Sequence, residues 1–117
     1  MRLYGITNCD SVKRACAWLA EHGVALEFHD FKKAGVPAAG LKAWVAALGW
    51  EPLLNRRGTT WRQLDAATQA AVVDAASAGA LMRAQPSLIK RPVVEWPGGS
   101  VTVGFDAERW AALLERK

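Results

Sequence analysis

Apolar and polar positions fall into short blocks along the chain, and the period of the blocks changes from strand-like to helix-like and back. Leu3, Tyr4, Gly5 and Ile6 form a short apolar run that predicts a buried strand, ended by the polar stretch Thr7-Asn8-Cys9-Asp10. Val12, Ala15, Cys16 and Leu19 then recur at helical spacing, with Lys13, Arg14 and Glu21 outside the stripe, and Gly23 stops that helix. Ala25 to His29 reads as a second strand. Pro37 is placed to begin another helix, whose apolar stripe is Leu41, Trp44, Val45 and Leu48 and whose stop is Gly49. Residues 50–60 read as irregular. From Trp61 to Gln85 alanine is dense and β-branched residues are few, which predicts two helices with a break near Ser77 to Gly79, closed by Pro86. Pro92 to Glu95 and Val101 to Val103 are β-prone runs joined by Pro97-Gly98-Gly99, a hairpin signal. Asp106 can cap a last helix with Trp110, Leu113 and Leu114 facing inward.

The order is β-α-β, then helices, then β-β-α. A β-α-β unit places its two strands in parallel with a right-handed crossover, and the later hairpin adds antiparallel strands. The predicted architecture is therefore a single α/β domain over residues 1–117, a four-stranded mixed sheet flanked by helices, with a helical insertion at about 37–86 between the two halves. That is the thioredoxin-like arrangement.

Composition narrows the classes. At 117 residues, with 51% hydrophobic and 22% charged side chains, the chain has ordinary globular composition. No apolar run approaches the roughly 18 residues of a membrane helix, and Met1 to Gly5 shows no signal-peptide hydrophobic region, so the cytoplasm is the expected compartment. The formal charge of +4 is spread over scattered short pairs such as Lys32-Lys33, Arg56-Arg57 and Lys90-Arg91, which suits a local anion site better than a nucleic-acid track. Two cysteines without C-x-x-C spacing make neither a disulfide framework nor a zinc site, and His22 and His29 fit no ligand pattern. No metal and no bound cofactor are expected.

The chemistry concentrates on Cys9. It lies where a strand meets a helix, and the first turn of a helix offers unpaired N–H groups and the positive end of the macrodipole, both of which favour a thiolate. Asn8 and Lys13 flank it as candidate anion-binding groups; Lys13 and Arg14 add to the positive field and Asp10 opposes it. Cys16 cannot serve as its resolving partner: seven helical residues span about 10 Å, beyond the roughly 7 Å that a disulfide allows between Cα atoms. It belongs to the apolar stripe and reads as core filler. In a thioredoxin-like sheet the loop at Arg91-Pro92 faces the cysteine, so Arg91 can direct its donors at the thiolate or at an anionic ligand. Arg57 and Thr59, in the cluster Arg56-Arg57-Gly58-Thr59-Thr60, supply a further anion-binding candidate. Of the six tryptophans, Trp18, Trp44, Trp61 and Trp110 fall on helices, which leaves Trp50 and Trp96, in expected loops, for a partner surface.

The run from Leu3 to Ala15 with Trp18-Leu19 behind it, followed by Gly49-Trp50-Glu51, Leu53-Leu54-Asn55, Arg57-Gly58-Thr59-Thr60-Trp61, Ile89-Lys90-Arg91-Pro92 and Val103-Gly104-Phe105, resembles the ArsC/Spx family, in particular its YffB-type branch. The resemblance covers essentially the whole chain. It implies a thioredoxin-like fold with a helical insertion and one active cysteine, matched by Cys9. Arsenate reductases of this family use that cysteine with glutathione, glutaredoxin and three arginines around the oxyanion. Arg91 matches one of these and Pro92 the cis-proline beside it. The second falls near Asn55, with Arg57 two places later as in the Spx and YffB branches, and the third falls about where Gly104 stands. Two positions thus depart from the pattern, which argues against arsenate reduction. Spx-type regulators carry C-x-x-C, whereas the residue three after Cys9 is Val12, so a dithiol switch of that kind is absent.

These readings converge on a glutathione-dependent thiol oxidoreductase that works through a mixed disulfide on Cys9, with glutathione as co-substrate, a small or protein disulfide as substrate and glutaredoxin as a candidate partner. The competing expectation is a non-catalytic Spx-like module that docks on RNA polymerase or another protein through Trp50, Trp96 and the basic pairs. Glutaredoxin-linked arsenate reduction is the third.

Overall fold

The computed structural model describes residues 1–115. Four strands, β1 (Arg2–Gly5), β2 (Glu27–Asp30), β3 (Val93–Glu95) and β4 (Val101–Val103), form one sheet in the order β2-β1-β3-β4. β1 and β2 are parallel, with Leu3 opposite Phe28, while β1 pairs antiparallel with β3 and β3 with β4. This is the mixed, thioredoxin-like sheet that the sequence pattern predicts. The crossover from β1 to β2 is helix α1 (Asp10–Glu21), and α8 (Ala107–Glu115) follows β4. Between β2 and β3 lie α2 (Phe31–Ala34), α3 (Ala38–Leu48), α4 (Trp50–Leu53), α5 (Thr59–Arg62), α6 (Ala66–Ala70), α7 (Ala75–Ala84) and a 3-10 turn at Pro86–Leu88.

Successive side chains of a strand point to opposite faces, and the two faces carry separate cores. Leu3 and Val94 join Val12, Ala15, Leu19, Trp96 and Trp110 on the side of α1 and α8. Tyr4 and Val93 join Phe31, Leu41, Trp44, Leu53, Leu54, Met82, Leu88 and Ile89 under the inserted helices. Gly5 lets α1 lie close on β1: a Cβ there would meet Val12 Cγ2 at 2.7 Å. Cys9, at the junction, packs against both cores.

The pattern misplaces some elements. β2 runs from Glu27 to Asp30, two residues later than the apolar run at Ala25 suggests, because it is a sheet edge and Phe28 on it is exposed. The stretch 50–60 contains α4 and α5 rather than irregular chain. No break occurs at Ser77 to Gly79, which lies inside α7; the helices divide instead at Asp65 and Asp74, whose carboxylates cap α6 and α7. Ser77 is the third residue of a capping box: its N–H donates to Asp74 Oδ1 at 2.8 Å and its hydroxyl accepts from the Asp74 N–H at 3.1 Å.

Trp96 is a further correction. It is 5% exposed, and its indole N–H donates to Thr102 Oγ1 at 2.9 Å across the β3–β4 hairpin, so it is core rather than partner surface. Trp50 begins α4 and is half-buried against the core beneath the inserted helices. Among the described residues no helix is long and apolar enough to cross a membrane.

Candidate active site

β1 delivers the chain to Cys9, which is the N-cap residue of α1 in extended conformation (φ −146°, ψ 121°). Its carbonyl accepts the first helical hydrogen bond, from the Lys13 N–H at 3.0 Å. Its side chain makes no full capping hydrogen bond. Burial pushes the Cys9 thiol up, but the Val12 N–H, the Arg91 guanidinium and the Ser11 N–H together outweigh that cost and bring its pKa below the ordinary thiol value. The two amides act as oriented dipoles of the helix start, and Arg91 adds both a donor and a full charge.

Arg91 reaches this position from the other half of the fold. It precedes β3, its peptide bond to the buried Pro92 is cis, and its guanidinium donates from Nη1 to the Ser87 carbonyl at 3.3 Å. Its Nε–H is buried without a hydrogen-bond partner. The Pro92 carbonyl accepts from the Gly104 N–H at 2.9 Å, which ties the segment to the end of β4. Gly104 has φ +83°, a conformation unfavourable for any residue with a Cβ. An arginine at that position would be strained, and the departure from the three-arginine pattern is built into the backbone.

The structure thus brings Cys9 and Arg91 together, with Pro92 joined to Arg91 through the cis peptide bond. Asn8 and Lys13 flank Cys9 in sequence and are exposed, and the charge that favours the thiolate is that of Arg91. Arg57 and Thr59 lie on the α4–α5 connection and the first position of α5, both exposed. Their loop hangs from the strand-like bridge of Leu54 to Ile89, reinforced by the Lys90 N–H to the Leu53 carbonyl at 2.8 Å and the Asn55 N–H to the Leu88 carbonyl at 2.7 Å. The arginine loop is therefore anchored on the segment that leads directly into Arg91.

Cys16 behaves oppositely to Cys9: it packs against the α1–α8 core, and burial alone pushes its thiol up. Both cysteines are free. Among the described residues no group of three or more His, Cys, Asp or Glu side chains could hold a metal ion. Two participants escape the sequence reading, the Ser11 amide and the Ser87 carbonyl behind Arg91, and a third contact does as well: Arg56, read there only as part of the basic cluster, sits over the Trp50 and Trp61 rings. For the last, a signal existed in the placement of an arginine between two tryptophans in a glycine-containing loop.

The profile of the ArsC family matches residues 4–113. A solved structure described as the YFFB protein superposes with a TM-score of 0.91 at 50% identity, covering 97% of each chain. An arsenate reductase (ArsC) related protein from Brucella melitensis superposes with a TM-score of 0.73 at 46% identity, over 97% of this chain and 93% of that one. An uncharacterised protein from Haemophilus influenzae is 36% identical over 112 residues, 96% of each chain.

Proposed function

The chain belongs to the ArsC family, and from that premise we propose that it is a glutathione-dependent thiol oxidoreductase with Cys9 as its nucleophile. The observation that carries the reading is the opposition of the two thiols: Cys9 is shifted toward the thiolate by helix-start amides and Arg91, while Cys16 is shifted toward the neutral thiol by burial. One activated sulfur without a resolving partner in its own chain calls for an external thiol.

The cycle balances with glutathione in that role. The Cys9 thiolate attacks the glutathionyl sulfur of a mixed disulfide; a Cys9–glutathione S–S bond forms, the substrate S–S bond breaks, and the substrate leaves as a thiolate. A glutathione thiolate then attacks the glutathionyl sulfur on Cys9, releasing glutathione disulfide and restoring the Cys9 thiolate. The net exchange converts one glutathionylated substrate and one glutathione thiolate into the substrate thiolate and glutathione disulfide. Arg91 stabilises the sulfur anion at both ends of the cycle, and Arg57 with Thr59 receives a carboxylate of the tripeptide.

The test is incubation with glutathione disulfide followed by peptide mapping in a mass spectrometer, together with turnover of a glutathionylated peptide in the presence of reduced glutathione. A single adduct on Cys9 that reduced glutathione removes, and turnover lost in Cys9→Ser but retained in Cys16→Ser, is the expected result. No adduct, or an adduct on Cys16, would overturn the proposal.

A further inference from the structure

Arg56 and Arg57 read as an equivalent basic pair, yet the structure gives them different work. The Arg56 guanidinium lies 5.5 Å from the centroid of the Trp50 ring and 5.9 Å from that of Trp61, so it contacts the first residue of α4 and the third of α5 together. Cations at such distances are attracted to the faces of indole rings, and both tryptophans are seated against the core. The backbone between the helices is held as well: the Arg57 N–H donates to Asn55 Oδ1 at 3.1 Å, and Gly58 folds so tightly on Asn55 that a Cβ would meet its Nδ2 at 2.8 Å. Among the described residues the Arg57 guanidinium has no hydrogen-bond or ion-pair partner.

We infer that Arg56 is a positioning residue: held against two indoles, it fixes the 55–58 turn from which the free guanidinium of Arg57 is presented to an anionic group of the substrate. The inference rests on the functional reading above, in which Arg57 meets a carboxylate of glutathione. Loop ordering before binding removes an entropic cost from association. The side chain that Arg56 places against the tryptophans is then unavailable as a second anion contact, so the basic pair acts as one clamp and one receptor.

The experiment measures the rate at which Cys9 in the full-length protein forms a mixed disulfide with glutathione disulfide, which is anionic, and with 2-hydroxyethyl disulfide, which is neutral. Arg56→Ala should slow the reaction with glutathione disulfide about fivefold, the effect of disordering one loop side chain, and leave the neutral disulfide unchanged. Arg56→Lys, which keeps a cation over the rings, should retain most of the wild-type rate. In an Arg57→Ala background Arg56→Ala should have no further effect, because Arg56 acts only through Arg57. An equal loss in both backgrounds would show that Arg56 contacts the anion itself and overturn the inference, as would an unchanged Arg56→Ala beside a reactive wild type. A wild type that takes up no glutathione but reacts with the neutral disulfide would instead remove the glutathione reading on which the inference stands.

Discussion

Replacing Arg91 tests the electrostatics of the site more sharply than replacing the cysteine. Among the described residues Arg91 brings the one full charge that favours the Cys9 thiolate, and its guanidinium is partly buried. A hydrogen bond to a charged partner contributes about 1.5–3 kcal/mol where water is excluded. Cys9 is only half-buried, and solvent screening removes about half of that, which leaves about 1 kcal/mol. Arg91→Met keeps the aliphatic stem and removes the charge. It should leave about fivefold less thiolate on Cys9 at neutral pH. The assay is the pH profile of iodoacetamide alkylation in a Cys16→Ser background. The midpoint should move up in Arg91→Met, and the high-pH plateau should rise, because a more basic thiolate is intrinsically more nucleophilic. The two profiles therefore cross. Arg91→Lys should fall between them. Superimposed midpoints for wild type and Arg91→Met would refute the assignment of Arg91 as the charge partner.

Other consequences follow from the same structure. Because the Cys9 pKa is depressed on folding, its ionisation contributes stability above the ordinary thiol pKa, and that contribution is lost as pH falls through the folded value; in urea titrations the wild type should gain on Cys9→Ser as pH rises through that window. Asp74→Ala removes the carboxylate that accepts the Ser77 N–H at the start of α7 and should cost about 1 kcal/mol, read as a Tm lowered by several degrees, whereas an unchanged Tm would contradict the cap. Trp96→Phe leaves the buried Thr102 hydroxyl without its donor and should lower unfolding free energy by about 1–2 kcal/mol in urea. Gly104→Arg, which restores the third arginine of the family pattern, forces a side chain into positive φ and should cost about 1–2 kcal/mol without creating arsenate reductase activity in an assay with arsenate, glutathione and glutaredoxin.

The parts of the fold that the sequence makes legible are those written locally. The apolar run at Leu3 to Ile6, the stripe from Val12 to Leu19 and the cap at Asp106, whose Oδ1 accepts the Arg109 N–H at 3.1 Å, each depend on neighbours within a few residues. So does Cys9, whose place at a strand-to-helix junction is visible in the pattern alone. The middle of the chain is different. Alanine-rich sequence from residue 61 onward carries almost no hydrophobic period, so the divisions fall where Asp65 and Asp74 accept backbone N–H groups, and Ser77 looks like a helix breaker although it completes a cap. Trp96, just beyond the end of β3, reads as free for a partner until Thr102 comes across the hairpin to meet it. Arg56 and Arg57 are indistinguishable as letters, and only the approach of Trp50 and Trp61 separates them.

The central claim is that this fold activates one of its two thiols and quiets the other. Alkylation of both cysteines in a single native sample, followed residue by residue in a mass spectrometer across a pH series, measures it directly. Cys9 is expected to react with a midpoint below that of a free thiol and Cys16 with a midpoint above it. Coincident midpoints, or Cys16 reacting at the lower pH, would contradict the account.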